Sequence, residues 1–567
     1  MTQSDSIPIL RSSIWIFIVA ALAIFPAFLF GPPLGHSLAN NLVWLTSFDA
    51  GLWRGEVYPR WMPELWFGAG GPDFFFYGPL PFWITSILGR GICWTCDVPS
   101  LLNAGSLIIL ALSGLGYFLF ASRFLDSGRA LIAAGIYIIL PYHLMIDWGM
   151  RQALGELGAV SVFPFIAYFL IGLSRGKQWS GVGLAVSVAA LILCHLPSVV
   201  ICATVLGPLA LYYGFRIRQS PGEMFTFMGY AALYAIFGLG MSAFYWLPAL
   251  SLLSTVSSQT LWQSIFNWSH WLFFDGQAEP NEALTTLLKV WLIGVSLFIG
   301  VAFVSLRKNI ELVVWLILPL LIAWIFMTPL SWPLWQYLPF LQAIQFPWRF
   351  MSMAEFGLPL AIGFLLPVGS RQILAAGFAV VLLSLLSGFG GYQLGNIVGV
   401  SRHIVDGSMI DHLSAWEYLP KSAFDPILKL TGGERGAMRS DWTSDPGEVS
   451  QLAVVSGEAR TDVRLVNARH WSVDVVAVTP SHMVFRQFFW TLWSAHDVAT
   501  GAEIKISPEE KFGLIAFDVP TGHTNIAINL DMHWSEKLGM LLSLLVVAFI
   551  LTIALRIRAS RSTPTLV

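Results

Sequence analysis

Charge is what this sequence has least of. Only 11% of its 567 residues are Asp, Glu, Lys or Arg, where a soluble domain carries about 25%. With 56% hydrophobic residues and a mean hydropathy of +0.69, that scarcity excludes an ordinary soluble globule, and most of the length belongs in lipid. A formal net charge of −2 carries no nucleic-acid signature. There is no H-x-x-x-H, no H-E-x-x-H and no P-loop, and the Gly68-x-Gly70-Gly71 cluster has no strand before it, which argues against a nucleotide site. Cysteines number four. Cys194 and Cys202 fall in apolar runs and read as small core residues. Cys93 and Cys96 form C-W-T-C, for which a structural disulfide and free thiols both stay open. The apolar runs hold almost no ionisable residue apart from Lys289. Chemistry is therefore expected at the membrane boundary rather than along a path through it.

What is present is a series of apolar runs. Ile14–Phe30 follows Arg11 and has no A-x-A-like cleavage site after it, so it reads as an uncleaved first span. Further runs lie at 101–121, 130–146, 158–174, 179–195, 197–213, 225–247, 287–306, 311–328, 351–368, 372–390 and 538–555, giving about 12 spans of roughly the required length. Alternate loops carry the positive charge: Arg123 and Arg129, Arg175 and Lys177, Arg216 and Arg218, Arg307 and Lys308, Arg371, then Arg556, Arg558 and Arg561. By the positive-inside rule these loops and both termini are cytoplasmic in a bacterial plasma membrane. The opposite loops, 33–100, 147–157, 248–286, 329–350 and 391–537, then face outward. The last differs in kind: after Val449 it alternates in short runs, QLAVVS, TDVRLVNA, HWSVDVVAV, HMVFRQFF, FGLIAFDV and TNIAINLDM, with turn residues between them. That pattern predicts a β-rich domain, a sandwich. The chain divides into a transmembrane domain over 1–390, a β domain over 391–537, and a final span with its tail over 538–567.

Outward loops should be poor in arginine, yet Arg54, Arg60, Arg151 and Arg349 fall there, each beside aromatics or prolines. Guanidinium forks bind phosphate bidentately, so these residues suit a lipid-linked phosphate. Acids at the same level are Asp49, Glu56, Glu64 and Asp73, then Asp147 and Glu156; a carboxylate at a low-dielectric boundary can act as a general base. Asp147 and Arg151 have i,i+4 spacing. His195 ends an apolar run before Leu196-Pro197, and Tyr77 lies in an aromatic-rich stretch suited to packing on sugar faces and a prenyl chain.

Several of these stretches together resemble a known family: Y-P-R-W (58–61), G-A-G-G-P-D-F-F-F-Y-G-P-L-P (68–81), R-Q-A-L-G-E-L-G-A (151–159), His195, F-P-W-R-F (346–350) and E-Y-L-P (417–420). They resemble a bacterial multi-pass family labelled "6-pyruvoyl-tetrahydropterin synthase-related". The tail, with W-T-L-W-S-A-H-D, D-V-P-T-G-H and a final span, is similar to that of membrane proteins that glycosylate lipoteichoic acid. Both groups are similar to GT-C glycosyltransferases. The resemblance covers nearly the whole chain. It implies a polytopic GT-C-like helical domain and transfer of a sugar from a polyprenyl-phosphate donor to a cell-envelope glycan or lipid acceptor. It maps the second-loop acid onto Glu156. The family often places an Asp after the His at the start of the first loop and a second His a few residues on; here Ser37 follows His36, and Asn40 and Asn41 stand near the second position. Asp49 is the displaced candidate. The expected site is thus Asp49 or Glu156 as base, with Arg60, Tyr77, Arg151, His195 and Arg349 binding substrate. A divalent cation, Mg or Mn, stays open because such metals favour clustered carboxylates, although no dedicated cage is visible. The alternative is a lipid or polysaccharide transporter or an envelope assembly factor without catalysis.

Overall fold

The computed structural model describes residues 9–216, 221–263, 266–277, 280–398, 415–431 and 451–562. Arg218 and the polar stretches 399–414 and 432–450 lie outside the described residues. Among the described residues nine helices are long and apolar enough to cross a membrane: Val98–Ala121, Ser127–Arg151, Leu154–Ser174, Leu196–Phe215, Gly222–Met241, Glu282–Leu306, Ile310–Met327, Ser370–Ile397 and Trp534–Ala559. Two shorter apolar helices, Leu10–Ala23 and Gln178–Cys194, accompany them. The chain is a multi-pass membrane protein, and several of its apolar runs are interrupted among the described residues. Proline is one reason. The 351–368 run breaks into Met351–Ala354 and Leu358–Leu365, with a proline in the first turn of the second piece. The first run breaks after Ala23, and the six-residue helix Phe25–Phe30 follows with Pro26 in its first turn. Side-chain caps set other boundaries. Asp97, Asp126, Asn281 and Asn309 each accept a backbone N–H in the first turn of the helix they precede.

The break that matters for the site falls between Ile138 and Pro141. Leu140 is extended (ψ 138°) ahead of the proline, as the residue before proline prefers. The chain resumes as a π-helical segment, Pro141–Arg151, which ends at Gln152 with φ +52°. Wide helical turns of this kind recur at functional sites. The segment packs at backbone contact on Ser370–Val398. A Cβ on Gly149 would sit 2.3 Å from the Gly391 carbonyl oxygen, and one on Gly395 would sit 2.3 Å from that of Gly149. Small residues allow such close helix approach in a membrane.

The first loop is built largely of helix, Leu38–Trp53 followed by short pieces from Leu65 to Ile92, and much of it is buried rather than spread on a surface. Trp61 shows why. It stacks on Trp490 (5.9 Å), meets Trp493 edge-on (5.2 Å), and donates Nε1–H to Gln487 Oε1 at 2.7 Å. Gln487 in turn donates to the Pro63 and Gly68 carbonyls, and Phe488 N–H donates to the Ala69 carbonyl. Gly70 has φ +78°, and a Cβ there would lie 2.4 Å from Gln487 Oε1, so glycine is required on both counts.

The β domain is two four-stranded antiparallel sheets. The strands are β1 Leu452–Ser456, β2 Ala459–Asn467, β3 His470–Ala477, β4 Ser481–Phe488, β5 Trp493–Asp497, β6 Ile506–Pro508, β7 Leu514–Val519 and β8 Gly522–Leu530. One sheet runs β1-β4-β7-β6 and the other β2-β3-β8-β5. Burial alternates along β3, β4 and β8, and Trp471 of one sheet meets Phe485 of the other at 5.2 Å, so the inner faces form one core. All six alternating runs read from the sequence are strands. Beyond them the sequence reading missed the short β5 and β6.

Candidate active site

Four ionisable side chains gather where the π-helical segment meets the helix Leu154–Ser174. Asp147 and Arg151 lie on one wide turn, and Gln152 reverses the chain so that Glu156, in the first turn of the next helix, faces back toward them. Arg151 Nη1 donates to Asp147 Oδ1 at 2.6 Å and to Glu156 Oε2 at 2.8 Å. Arg349, from the short turn Pro347–Phe350, places Nε 2.9 Å from the same Glu156 Oε2 and donates Nη1–H to the Ile344 carbonyl at 2.6 Å. Tyr142 O–H donates to Glu156 Oε1 at 2.5 Å. Asp147 is fully buried, and its Oδ2 has no hydrogen-bond partner among the described residues. The Arg151 guanidinium lies over the Trp348 ring (4.8 Å) and that of Arg349 over Phe346 (4.9 Å). Two guanidiniums thus face two carboxylates, and one carboxylate oxygen is left without a donor. Burial lowers the Arg349 pKa, and Glu156 opposes the shift.

Support comes from three directions. Glu355 accepts the backbone N–H of Tyr142 at 3.3 Å and the Trp291 Nε1–H at 2.8 Å, which fixes the amino end of the π-helical segment. The start of the first loop lies along its carboxyl end: His36 N–H donates to the Met150 carbonyl (3.0 Å) and Ser37 N–H to the Arg151 carbonyl (2.8 Å). Asn41 Nδ2–H donates to the Gln152 carbonyl. Ser37 therefore sits beside the cluster, at the position where the family resemblance expects a carboxylate.

Of the residues singled out from the sequence, Arg151, Glu156 and Arg349 come together. Tyr77 lies against the turn that leads to Glu156, since a Cβ on Gly155 would be 3.1 Å from the Tyr77 hydroxyl. Burial pushes the Tyr77 phenol up to about 12, and Arg349 opposes the shift. His195 is within electrostatic reach of Arg349 and Glu156 and holds Ser198 Oγ through Nδ1 at 2.8 Å.

Asp49 and Arg60 do not join the cluster. Asp49 Oδ2 is paired with Arg90 at 2.6 Å, because the carboxyl half of Leu38–Trp53 points that side chain toward the end of the loop. Arg60 is buried against Glu536 at 3.0 Å, donates to the Phe244 carbonyl at 2.7 Å, and lies over the rings of Tyr58 and Phe75. Arg469 pairs with the same Glu536 at 2.6 Å. This second cluster joins the first loop, the β domain and the final helix, and burial lowers the Arg60 pKa against the pull of Tyr58 and Glu536. The residues that sequence reasoning undervalued are Asp147, read as an outward-facing acid and an i,i+4 partner of Arg151 but left out of the expected site, Tyr142, which carried no signal, and Glu355, a carboxylate inside the apolar run 351–368. A cavity of about 500 Å³ in the β domain, lined by His482, Asp497, Lys505 and Asp518 among others, includes none of the cluster residues.

Fold and site define a multi-pass membrane protein with an arginine–carboxylate cluster at the end of a membrane helix and a β sandwich packed on its first loop. No protein-family model matches the chain. A curated relative from Lactococcus lactis subsp. cremoris (strain MG1363), described as an uncharacterized protein, is 24% identical over 296 residues, 47% of this chain and 44% of that protein. The chain thus spans less than half the length of the curated relative it matches. Similar solved structures include the oligosaccharyltransferase of Archaeoglobus fulgidus in its apo form, at 13% identity over 76% of this chain and 59% of that one, TM-score 0.34. The same enzyme with an inhibitory peptide and a dolichol-phosphate matches at 14% identity over 76% and 59%, TM-score 0.33. The arabinofuranosyltransferase AftD from Mycobacteria matches at 15% identity over 69% of this chain and 27% of that one, TM-score 0.39.

Proposed function

We propose that the chain is a membrane glycosyltransferase that moves a sugar from a polyprenyl-phosphate donor to an envelope glycan or lipid, on the side of the membrane that carries the β domain. The observation that carries this reading is the Asp147–Arg151–Glu156–Arg349 cluster. Guanidiniums buried at a membrane boundary suit a lipid-linked phosphate, and the sequence resemblance to GT-C enzymes points the same way. The hydrogen bonds divide the labour between the acids. Both oxygens of Glu156 are engaged, Oε2 by the two arginines and Oε1 by Tyr142; Glu156 therefore orients the guanidiniums. Asp147 Oδ2 is buried and accepts no hydrogen bond from the described residues, so Asp147 is the acid assigned as base. The acceptor hydroxyl attacks the anomeric carbon, the bond from that carbon to the phosphate oxygen breaks, polyprenyl phosphate leaves, and the hydroxyl proton passes to Asp147. Among the described residues no group of three His, Cys, Asp or Glu side chains gathers to hold a metal ion. No step above is routed through a divalent cation.

Purified protein in nanodiscs, a panel of radiolabelled polyprenyl-phosphate sugars and a membrane glycolipid extract form the test. Wild type should transfer label, Asp147→Asn should lose at least about 100-fold, the lower end of general-base contributions, and Asp49→Asn should stay near wild type. Transfer untouched by Asp147→Asn sinks the assignment of the base. Ser37 favours the non-catalytic transporter or assembly reading, because it stands beside the cluster without a carboxylate. Donor binding without transfer, for every sugar tried, would select that reading.

A further inference from the structure

Asp49 is not idle outside the cluster. Arg90 Nη2 holds its carboxylate at 2.6 Å, while Arg90 Nη1 donates to the Trp94 carbonyl (3.2 Å) and the Cys96 carbonyl (2.7 Å). Cys93 and Cys96 form a disulfide, which resolves the choice the sequence left open. One guanidinium therefore ties the helix Leu38–Trp53 to both carbonyls of a disulfide-closed turn. The turn displays Trp94, 68% exposed, which meets Trp53, 59% exposed, edge-on at 5.2 Å.

The depth of this turn follows from its neighbours. The chain from Leu80 to Ile92 packs along the start of the span Val98–Ala121. A Cβ on Gly105 would touch Thr85, and one on Gly89 would lie 3.1 Å from Leu101. Leu101 and Gly105 stand three and seven residues into the span, so at 1.5 Å per residue Thr85 and Gly89 lie about 5–10 Å below its first residue. Ile87 and Leu88, between them, are each more than half exposed, as apolar side chains facing acyl chains would be. Trp94 lies past the end of this segment, level with the start of the span. That is the interfacial zone where Trp is stable.

We propose that the Cys93–Cys96 turn, latched by Asp49 and Arg90, is an interfacial anchor that seats Trp94 and Trp53 among the headgroups and upper acyl chains of the leaflet at the amino end of Val98–Ala121. The partner is the lipid surface itself, and the disulfide sets the presentation of the aromatic pair. This role is independent of the transfer chemistry.

The test places the photo-crosslinker p-benzoylphenylalanine at position 94 of the full chain in vesicles of phosphatidylethanolamine and phosphatidylglycerol. A control carries the same probe at Val478 on the β domain. Mass spectrometry should find lipid adducts at 94 several-fold above the control. Reduction of the same sample, checked by thiol alkylation, should lower the yield several-fold, and Asp49→Asn should lower it in the oxidised protein. Adducts to protein, including a second copy of the chain, or a yield no greater than at Val478, would overturn the anchor. An unchanged yield after complete reduction would overturn the role of the disulfide.

Discussion

Removing Glu536 should be the most damaging single change at the joint between the β domain and the membrane helices. Its carboxylate is 1% exposed and takes Arg60 and Arg469 together, with the two side chains 5% and 24% exposed. The joint holds two cations and one anion, so the three residues are not equivalent. Glu536→Leu strands the buried Arg60 with only the Phe244 carbonyl as acceptor. Breaking a buried pair from one side costs about 3–5 kcal/mol. Arg469→Met removes a partly exposed cation and leaves Arg60 and Glu536 as a balanced pair, so its cost should stay near the ~0–1 kcal/mol of solvent-screened pairs. The double variant Arg60→Met/Glu536→Leu swaps a buried pair for apolar side chains, which is often close to neutral, and Arg469 can then turn to water. Equilibrium unfolding in mixed micelles, followed by tryptophan fluorescence, would rank the variants. The reasoning fails if Glu536→Leu is no worse than Arg469→Met, or if the double variant loses the sum of its single changes.

Gly391→Val should disrupt the π-helical segment, because a Cβ on Gly391 would sit 3.3 Å from the Leu144 carbonyl oxygen and from Met145 Cα; a drop in unfolding midpoint with loss of donor binding would show it, and wild-type binding would refute it. Gln152→Gly should stabilise the chain by about 1 kcal/mol, since a side chain at φ +52° occupies the left-handed region at roughly that cost; the same unfolding assay reads it. Glu156→Gln should weaken donor binding as well as transfer, because it releases both guanidiniums, whereas Asp147→Asn should leave donor binding largely intact; equal binding losses in isothermal titration would contradict the division of roles.

The β sandwich was legible because a half-buried strand writes its period directly into the sequence, as in the alternation of His470–Ala477. Of the two strands that escaped, Ile506–Pro508 is too short to show a period, and Trp493–Asp497 carries only Trp493 and Ala495 as apolar residues. Apolar runs were legible as membrane helices, but their interruptions were not: hydropathy does not register the breaks after Ile138 and Ala354, and the first of these makes the turn that carries Asp147 and Arg151. Within the candidate site, Arg151 and Glu156 were readable because five residues across one helix break keep them close. Arg349 stood out through its aromatic and proline neighbours. The placement of Asp49 and Arg60 was not legible, because an ionisable residue at the right level fits a site and a structural pair equally well. Their partners, Arg90 and Glu536, are fixed only by the folded chain.

The contact between Trp61 and Gln487 spans 426 positions of sequence, and that separation imposes a schedule on the cell. At about 5–20 residues per second of synthesis, the first loop waits roughly 20–85 s before the strand that satisfies it exists. During that interval Trp61 and the carbonyls of Pro63 and Gly68 lack the residue that holds them. A nascent chain stalled before residue 487 would present an unfinished loop to quality control.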